Sequence, residues 1–219
     1  MLKINVLVVI LIFIVLACDN KEKEKPAADI DEIIDPLSQR LGYIGEIFYE
    51  DGDTIYHQIS PFGLTNQHGD TITHKTVEGK IYLADFFFTS CGGQCPHMTA
   101  ALKRVQQNCK DIDFLILSHT IDPKRDTAET FIRYIEKYGL DDYNWHFLTG
   151  DQMYIKGLGE ESYLAVSGID AETKGVGDLH SPHLYLIDKN RHIRGVYDGT
   201  DSKEVDKLIE DLRLLASQK

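Results

Sequence analysis

Residues 81–88 form an apolar run that leads, through two cysteines, directly into a helical pattern. The run is apolar on both alternating faces except at Asp85, which is typical of a strand covered on both sides. From Met98 onwards the apolar residues recur at helical spacing, and Pro96 suits the first turn of a helix, where its missing N–H is not needed. The junction therefore predicts an α/β protein in which a buried central strand turns into a helix at one end of the sheet.

The two cysteines at this junction are Cys91 and Cys95. The free N–H groups and the macrodipole at a helix N-terminus stabilise a thiolate, so this position favours thiolate chemistry. Three intervening residues allow both sulfurs to face the same way, near enough to share a metal ion or to form a disulfide. Gly92 and Gly93 are expected to let the loop turn tightly. We interpret the pair as a metal-binding or redox site rather than as a structural disulfide or two core thiols.

The N-terminal segment indicates export. Residues 1–17 carry one positive charge and then an apolar run that is short for a bilayer but has the length of a signal-peptide core. The run ends in Val-Leu-Ala-Cys18, which resembles the lipobox of bacterial lipoproteins and so implies lipidation of Cys18; a plain membrane anchor is the alternative. Residues 18–40 read as a charged, flexible membrane tether and residues 41–219 as the folded domain. We expect a lipid-anchored protein outside the cytoplasm, on the periplasmic side or the cell surface.

Composition adds two limits. A chain of 219 residues with 42% hydrophobic residues fits one domain with appendages. A formal net charge of -12 argues against nucleic acid as a partner.

Cys109 continues the apolar helix stripe and is predicted to be a buried, non-functional thiol.

The remaining elements follow from periodicity and turn signals. Two hairpins are predicted in residues 41–73, with turns at 51–52 and 67–69. Further strands are expected at 112–118, 145–150, 184–187 and 192–197, and a flexible glycine-rich loop at 167–178. Asp126 is predicted to cap a helix over 127–138 with Glu129 completing a capping box, while Asp151 and Asp201 cap later helices. The order gives a mixed sheet with helices on both faces.

Four separate motifs occur in order along the chain: Cys91-x3-Cys95-Pro96, Asp122-Pro123-x2-Asp126-Thr127, Leu148-Thr149-Gly150 and His180-Ser181-x3-Tyr185-Leu186. Together they resemble the SCO/SenC family, membrane-tethered thioredoxin-fold proteins that handle copper for cytochrome c oxidase. The resemblance implies a thioredoxin-like fold, a central mixed sheet flanked by helices with N-terminal hairpin additions. It also implies that Cys91, Cys95 and His180 bind one copper ion.

The donor set suits that expectation, because thiolates favour Cu(I) and an added imidazole also accommodates Cu(II). His183 is expected to be packed or on the surface, and His97 to support the site at most. Departures from the family pattern occur at Gly92, where proline is usual, and at Leu179, where aspartate is common. Pro182 resembles the cis-proline of thioredoxin-like reductases.

Two functions remain open at this point. The first is a chaperone that passes copper to the copper-bearing subunit of cytochrome c oxidase, or to another copper protein. The second is an extracytoplasmic thiol–disulfide oxidoreductase in which Cys91 attacks, Cys95 resolves, and an external thiol–disulfide reductant regenerates the pair.

Overall fold

The structure is a computed structural model that describes residues 41–165 and 181–218. Two short antiparallel hairpins come first, β1 (Ile47–Glu50) with β2 (Asp53–Tyr56) and β3 (Gly63–Thr65) with β4 (Thr71–Thr73). Asp51 and Gly52 both have positive φ, 51° and 87°, as a two-residue turn that matches the strand twist requires. Both predicted hairpins are confirmed.

A five-stranded mixed sheet follows, with β5 (Ile81–Phe87) at its centre. On one side β6 (Phe114–Thr120) and then β7 (Trp145–Leu148) run parallel to β5. On the other side β8 (His183–Ile187) pairs antiparallel with β5, and β9 (Ile193–Asp198) pairs antiparallel with β8. The carboxyl ends of β5, β6 and β7 and the start of β8 therefore meet at one edge of the sheet.

Helices cover both faces of this sheet. On one face α1 (Cys95–Asn108), α2 (Ala128–Tyr138) and α4 (Ser202–Ala216) share a core with alternate residues of β5 such as Leu83. On the opposite face α3 (Gln152–Gly157) and the π-helical turn Leu158–Ser162 share a core with the second hairpin. The predicted α/β, thioredoxin-like architecture is confirmed.

The predicted end of β6 is wrong by two residues. His119 and Thr120 were expected in a loop, but both belong to the strand and are fully buried. His119 stacks on Phe86 of the neighbouring strand, with ring centroids 5.0 Å apart. An aromatic partner in the adjacent strand thus accommodates a polar residue that local sequence assigns to a turn.

The predicted cap of α2 is also wrong. Thr127, not Asp126, is the N-cap, and its side chain accepts the N–H of Thr130. Glu129 pairs with Arg133 instead of completing a capping box. Gly139 ends the helix with φ of 56°, which agrees with the predicted helix end at residue 138. The caps at Asp151 and Asp201 are confirmed, since each side chain accepts a backbone N–H of its own first turn.

The predictions for residues 1–17 and 18–40, for Cys18, for the loop at 167–178 and for His180 lie outside the described residues. Within the part of the chain that the structure describes, no helix is long and apolar enough to cross a membrane.

Candidate metal and thiol site

Cys91 lies in the short loop between β5 and α1, and Cys95 is the first residue of that helix. The Cys91 N–H donates to the carbonyl of Phe88 at 3.2 Å, and the Gly93 N–H points at the Cys91 sulfur at 3.4 Å. Open space surrounds both Gly92 and Gly93, and neither has positive φ. A Cβ at either position would meet no neighbouring atom, so the two glycines leave this part of the loop uncovered by side chains.

The two thiols differ in their tendency to ionise. Partial burial opposes ionisation of Cys91, but hydrogen bonds from the Cys95 thiol and from the backbone N–H groups of residues 93–95 outweigh it and lower the pKa of Cys91. Burial, together with donation of its own hydrogen bond to Cys91, raises the pKa of Cys95 to about 12. The pair therefore combines an accessible thiol that ionises more readily than an ordinary cysteine with a buried partner that keeps its proton.

Cys91 and Cys95 both line one cleft of about 290 Å³. The cleft lies between the cysteine loop, the start of α1 and the segment that enters β8. Its lining is mostly apolar, and consists of Phe86, Phe88, Cys91, Gln94, Cys95, Met98 and Ser181. Cys91 is half-buried while Cys95 is buried, so a ligand or partner reaches Cys91 first.

Asp126 connects the cysteine loop to the neighbouring strand. Its fully buried carboxylate accepts the backbone N–H of Thr89 at 3.0 Å and the hydroxyl groups of Thr89 and Thr120. Thr89 lies two residues before Cys91, and Thr120 is the last residue of β6. Asp126 thus holds the start of the cysteine loop against the end of β6, a role that the sequence analysis missed.

Two further buried ionisable groups lie under the site. Burial raises the pKa of Asp85 to about 7, partly offset by the Ser118 hydroxyl, which donates to this carboxyl. Burial lowers the pKa of His119 to about 4, so its ring is neutral at physiological pH. The lone acid in an apolar strand was the sequence signal for Asp85; His119 gave none.

The structure brings some predicted residues together and separates others. Cys91 and Cys95 share the cleft as expected, while Cys109 is fully buried at the far end of α1, roughly 20 Å along a helix of 14 residues. His97 is exposed on the first turn of α1, and His183 lies partly buried against Tyr185. Within the described ranges, no three or more His, Cys, Asp or Glu residues are grouped so as to hold a metal ion.

His180 precedes the described segment by one residue. Ser181, its neighbour in the chain, lines the cleft together with both cysteines. The Ser181–Pro182 peptide bond is trans, since the described residues contain no cis peptide. The resemblance of Pro182 to a cis-proline therefore does not extend to its geometry.

Two thiols at a strand–helix junction of this sheet define a thioredoxin-like protein with a Cys-x3-Cys site. The family profile described as SCO1/SenC matches residues 51–217. The chain belongs to the SCO1/SenC family.

Solved structures agree with this assignment. A SCO1/SenC family lipoprotein from Bacillus anthracis is 30% identical, with a TM-score of 0.65, over 74% of this chain and 96% of that chain. BsSco, a member of the Sco family of cytochrome c oxidase assembly proteins in which a disulfide switch was identified, is 29% identical with a TM-score of 0.64 over 74% and 95%. Arabidopsis thaliana ScoI with copper bound shares the fold at 23% identity, with a TM-score of 0.56 over 71% and 98%.

Proposed function

We propose that this protein is a membrane-tethered copper chaperone for the binuclear copper centre of cytochrome c oxidase. It binds one copper ion through Cys91, Cys95 and His180. The observation that carries the proposal is the single cleft that both cysteines and Ser181 line, because it places the residue next to His180 beside the paired sulfurs. Membership of the family that includes BsSco and the copper-bound Arabidopsis thaliana ScoI supports copper as the cargo.

The donor chemistry fits a carrier that must both hold copper and release it. Two thiolates are soft ligands that suit Cu(I), and the imidazole of His180 adds the nitrogen donor that Cu(II) prefers. Copper binding displaces the proton of Cys95, whose pKa lies far above neutrality, so affinity should rise with pH. An accessible Cys91 allows thiolates of a recipient to take over the ion by stepwise ligand exchange, with His180 displaced first.

The alternative is a thiol–disulfide oxidoreductase, and the unequal pKa values of the two thiols favour it specifically. The Cys91 thiolate attacks a substrate disulfide, forms a mixed disulfide and releases the first substrate thiolate. Cys95 then loses its proton and attacks the Cys91 sulfur, which closes the Cys91–Cys95 disulfide and releases the second substrate thiol. An external dithiol must reduce the pair again before another cycle or before copper binding.

The anchor is part of the proposal. We propose that Cys18 is lipidated after removal of residues 1–17 and that residues 18–40 tether the domain to a bacterial membrane on its outer side. The Val-Leu-Ala-Cys18 sequence and the similarity to the Bacillus anthracis lipoprotein support this. Mass spectrometry of the N-terminal peptide from native protein tests it, and an unmodified N-terminus at Met1 would contradict it.

Anaerobic titration of the reduced protein with Cu(I) tests the central function. We expect one equivalent to bind tightly in the wild type and in Cys109→Ala, and binding to be lost in Cys91→Ser and in Cys95→Ser. Disulfide reductase turnover is measured on the same four proteins. Turnover without copper binding in the wild type would favour the oxidoreductase and reject the chaperone.

A further inference from the structure

A third sulfur-containing residue lines the cysteine cleft. Met98 is 1% exposed and belongs to the same cleft lining as Cys91 and Cys95. Met98 and Met153 are the methionines among the described residues, and Met153 is 71% exposed on α3. Met98 thus lines the cleft in which copper is proposed to bind, and Met153 is not among the residues that line it.

Helix geometry directs Met98 towards the thiols. Met98 follows Cys95 by three residues, so both side chains lie on the same face of α1, one turn apart. Long side chains in a helix lean back towards the N-terminus, which here means towards Cys95 and the cysteine loop. The helix is regular at this point, since the Met98 N–H donates to the Gln94 carbonyl at 3.1 Å.

Packing alone does not require a methionine at position 98. The Met98 stem lies close to Gly199 and belongs to the main core, so the residue also fills space. Leucine fills such a position equally well in most cores. What methionine adds is a soft, polarisable sulfur, and thioethers select Cu(I) over harder ions.

We propose that Met98 is an additional Cu(I) ligand, supplying a thioether to copper held by Cys91 and Cys95. This inference rests on the proposed copper function. Met98 would stabilise the reduced ion while His180 is displaced, so that copper keeps a third donor during transfer. The thioether is a weak ligand for Cu(II), so Met98 should matter for Cu(I) and little for Cu(II).

The test compares Met98→Leu with Met153→Leu in the full chain. Cu(I) affinity is measured by competition with a chromophoric Cu(I) chelator, and Cu(II) affinity by competition with a Cu(II) chelator. We expect Met98→Leu to weaken Cu(I) binding by about tenfold or more, the scale of losing a partner in a metal site, with Cu(II) binding unchanged. Met153→Leu should match the wild type. Thermal unfolding of the metal-free proteins checks that the core tolerates the leucine.

A labelling experiment keeps the proposal testable if Met98→Leu folds poorly. In selenomethionine-substituted protein loaded with Cu(I), X-ray absorption at the copper edge should show a copper–selenium contact, which Met153→Leu retains. A copper site with sulfur but no selenium neighbours would overturn the assignment, as would equal Cu(I) affinity in Met98→Leu and wild type. If the wild type binds no Cu(I), the proposed function fails, and this inference with it.

Discussion

The backbone N–H of Thr89 donates a hydrogen bond to Oδ2 of Asp126 over 3.0 Å, although the two residues are 37 positions apart. The Thr89 hydroxyl donates to the other oxygen of the same carboxylate. This contact fixes the start of the loop that carries Cys91 to the segment after β6. Asp126 is therefore a positioning residue for the thiol site.

Replacing Asp126 should affect both stability and the thiol. Asp126→Ala leaves the N–H and hydroxyl of Thr89 and the hydroxyl of Thr120 without their buried acceptor, so we expect a loss of roughly 3 kcal/mol or more. The matched control is Thr127→Ala, which removes only the helix cap and should cost about 1 kcal/mol. Urea unfolding measures both. The rate of Cys91 alkylation should change in Asp126→Ala but not in Thr127→Ala. Equal effects of the two variants on stability and on alkylation would mean that Asp126 acts only in capping the helix.

The unequal thiols predict selective modification. In the reduced protein, iodoacetamide should alkylate Cys91 first, because hydrogen bonds to its sulfur lower the pKa of this thiol and favour the reactive thiolate. Cys95 should react slowly until strongly alkaline pH, because burial holds its pKa near 12. Mass mapping of peptides from timed samples gives both rates. Faster labelling of Cys95 than of Cys91 would reverse the assigned roles.

Oxidation should join only the two cysteines of the cleft. We expect mild oxidation to form a reversible disulfide between Cys91 and Cys95 while Cys109 stays free, because the length of α1 separates it from them. Peptide mapping without reduction shows the pairing. A disulfide that contains Cys109 would mean that α1 does not separate these thiols as described.

The pH dependence of stability should reveal two opposing buried groups. The pKa of His119 falls from 6.5 to about 4 on folding, so the stability it contributes is complete above pH 6.5 and is lost as the pH falls to about 4. The pKa of Asp85 rises from 3.8 to about 7, so its contribution is complete below pH 3.8 and is lost as the pH rises to about 7. Between pH 4 and 7 the two trends largely offset each other, at roughly 3 kcal/mol for His119 and roughly 4 kcal/mol for Asp85.

Single variants should separate these trends. His119→Phe keeps the stacking on Phe86 but removes the loss at low pH, so the variant should gain stability on acidification relative to the wild type. Asp85→Asn should lose stability relative to the wild type on acidification, because it lacks the carboxyl group whose protonation stabilises the wild type. Urea unfolding at several values between pH 4 and 7 provides the comparison. If the stability of the wild type, His119→Phe and Asp85→Asn changes with pH in parallel, then His119 is not buried as a neutral ring and Asp85 is not buried as a protonated acid.

Local sequence patterns were enough for the sheet, the hairpins and the position of the thiol pair. A short run that is apolar on both faces identified β5, and the proline and helical spacing after Cys95 identified α1, because these signals depend on neighbours in sequence. The role of Asp126 could not be found this way. An acid just before a helix looks like a cap, and only its contact with Thr89 on a distant segment shows otherwise. His119 was misplaced for the same reason, since Phe86 on another strand supplies its environment.

The ligand assignment beyond the cysteines rests on resemblance and on the position of Ser181. Spacing along the chain places His180 about 85 residues from Cys95, and periodicity alone cannot bring two such residues together. The pairing of β8 with β5 brings the start of β8 to the carboxyl end of β5, where the cysteine loop begins. Topology, and not local pattern, therefore brings Ser181, the chain neighbour of His180, to the cysteine cleft.

The copper affinity of His180→Ala in both oxidation states tests the central claim most directly. The control variant is His183→Ala, which removes the next histidine along the chain. We predict that His180→Ala weakens Cu(II) binding by about a hundredfold, changes Cu(I) binding much less, and leaves the potential of the Cys91–Cys95 couple in the metal-free protein unchanged. Cu(II) affinity equal to that of the wild type in His180→Ala would contradict the account.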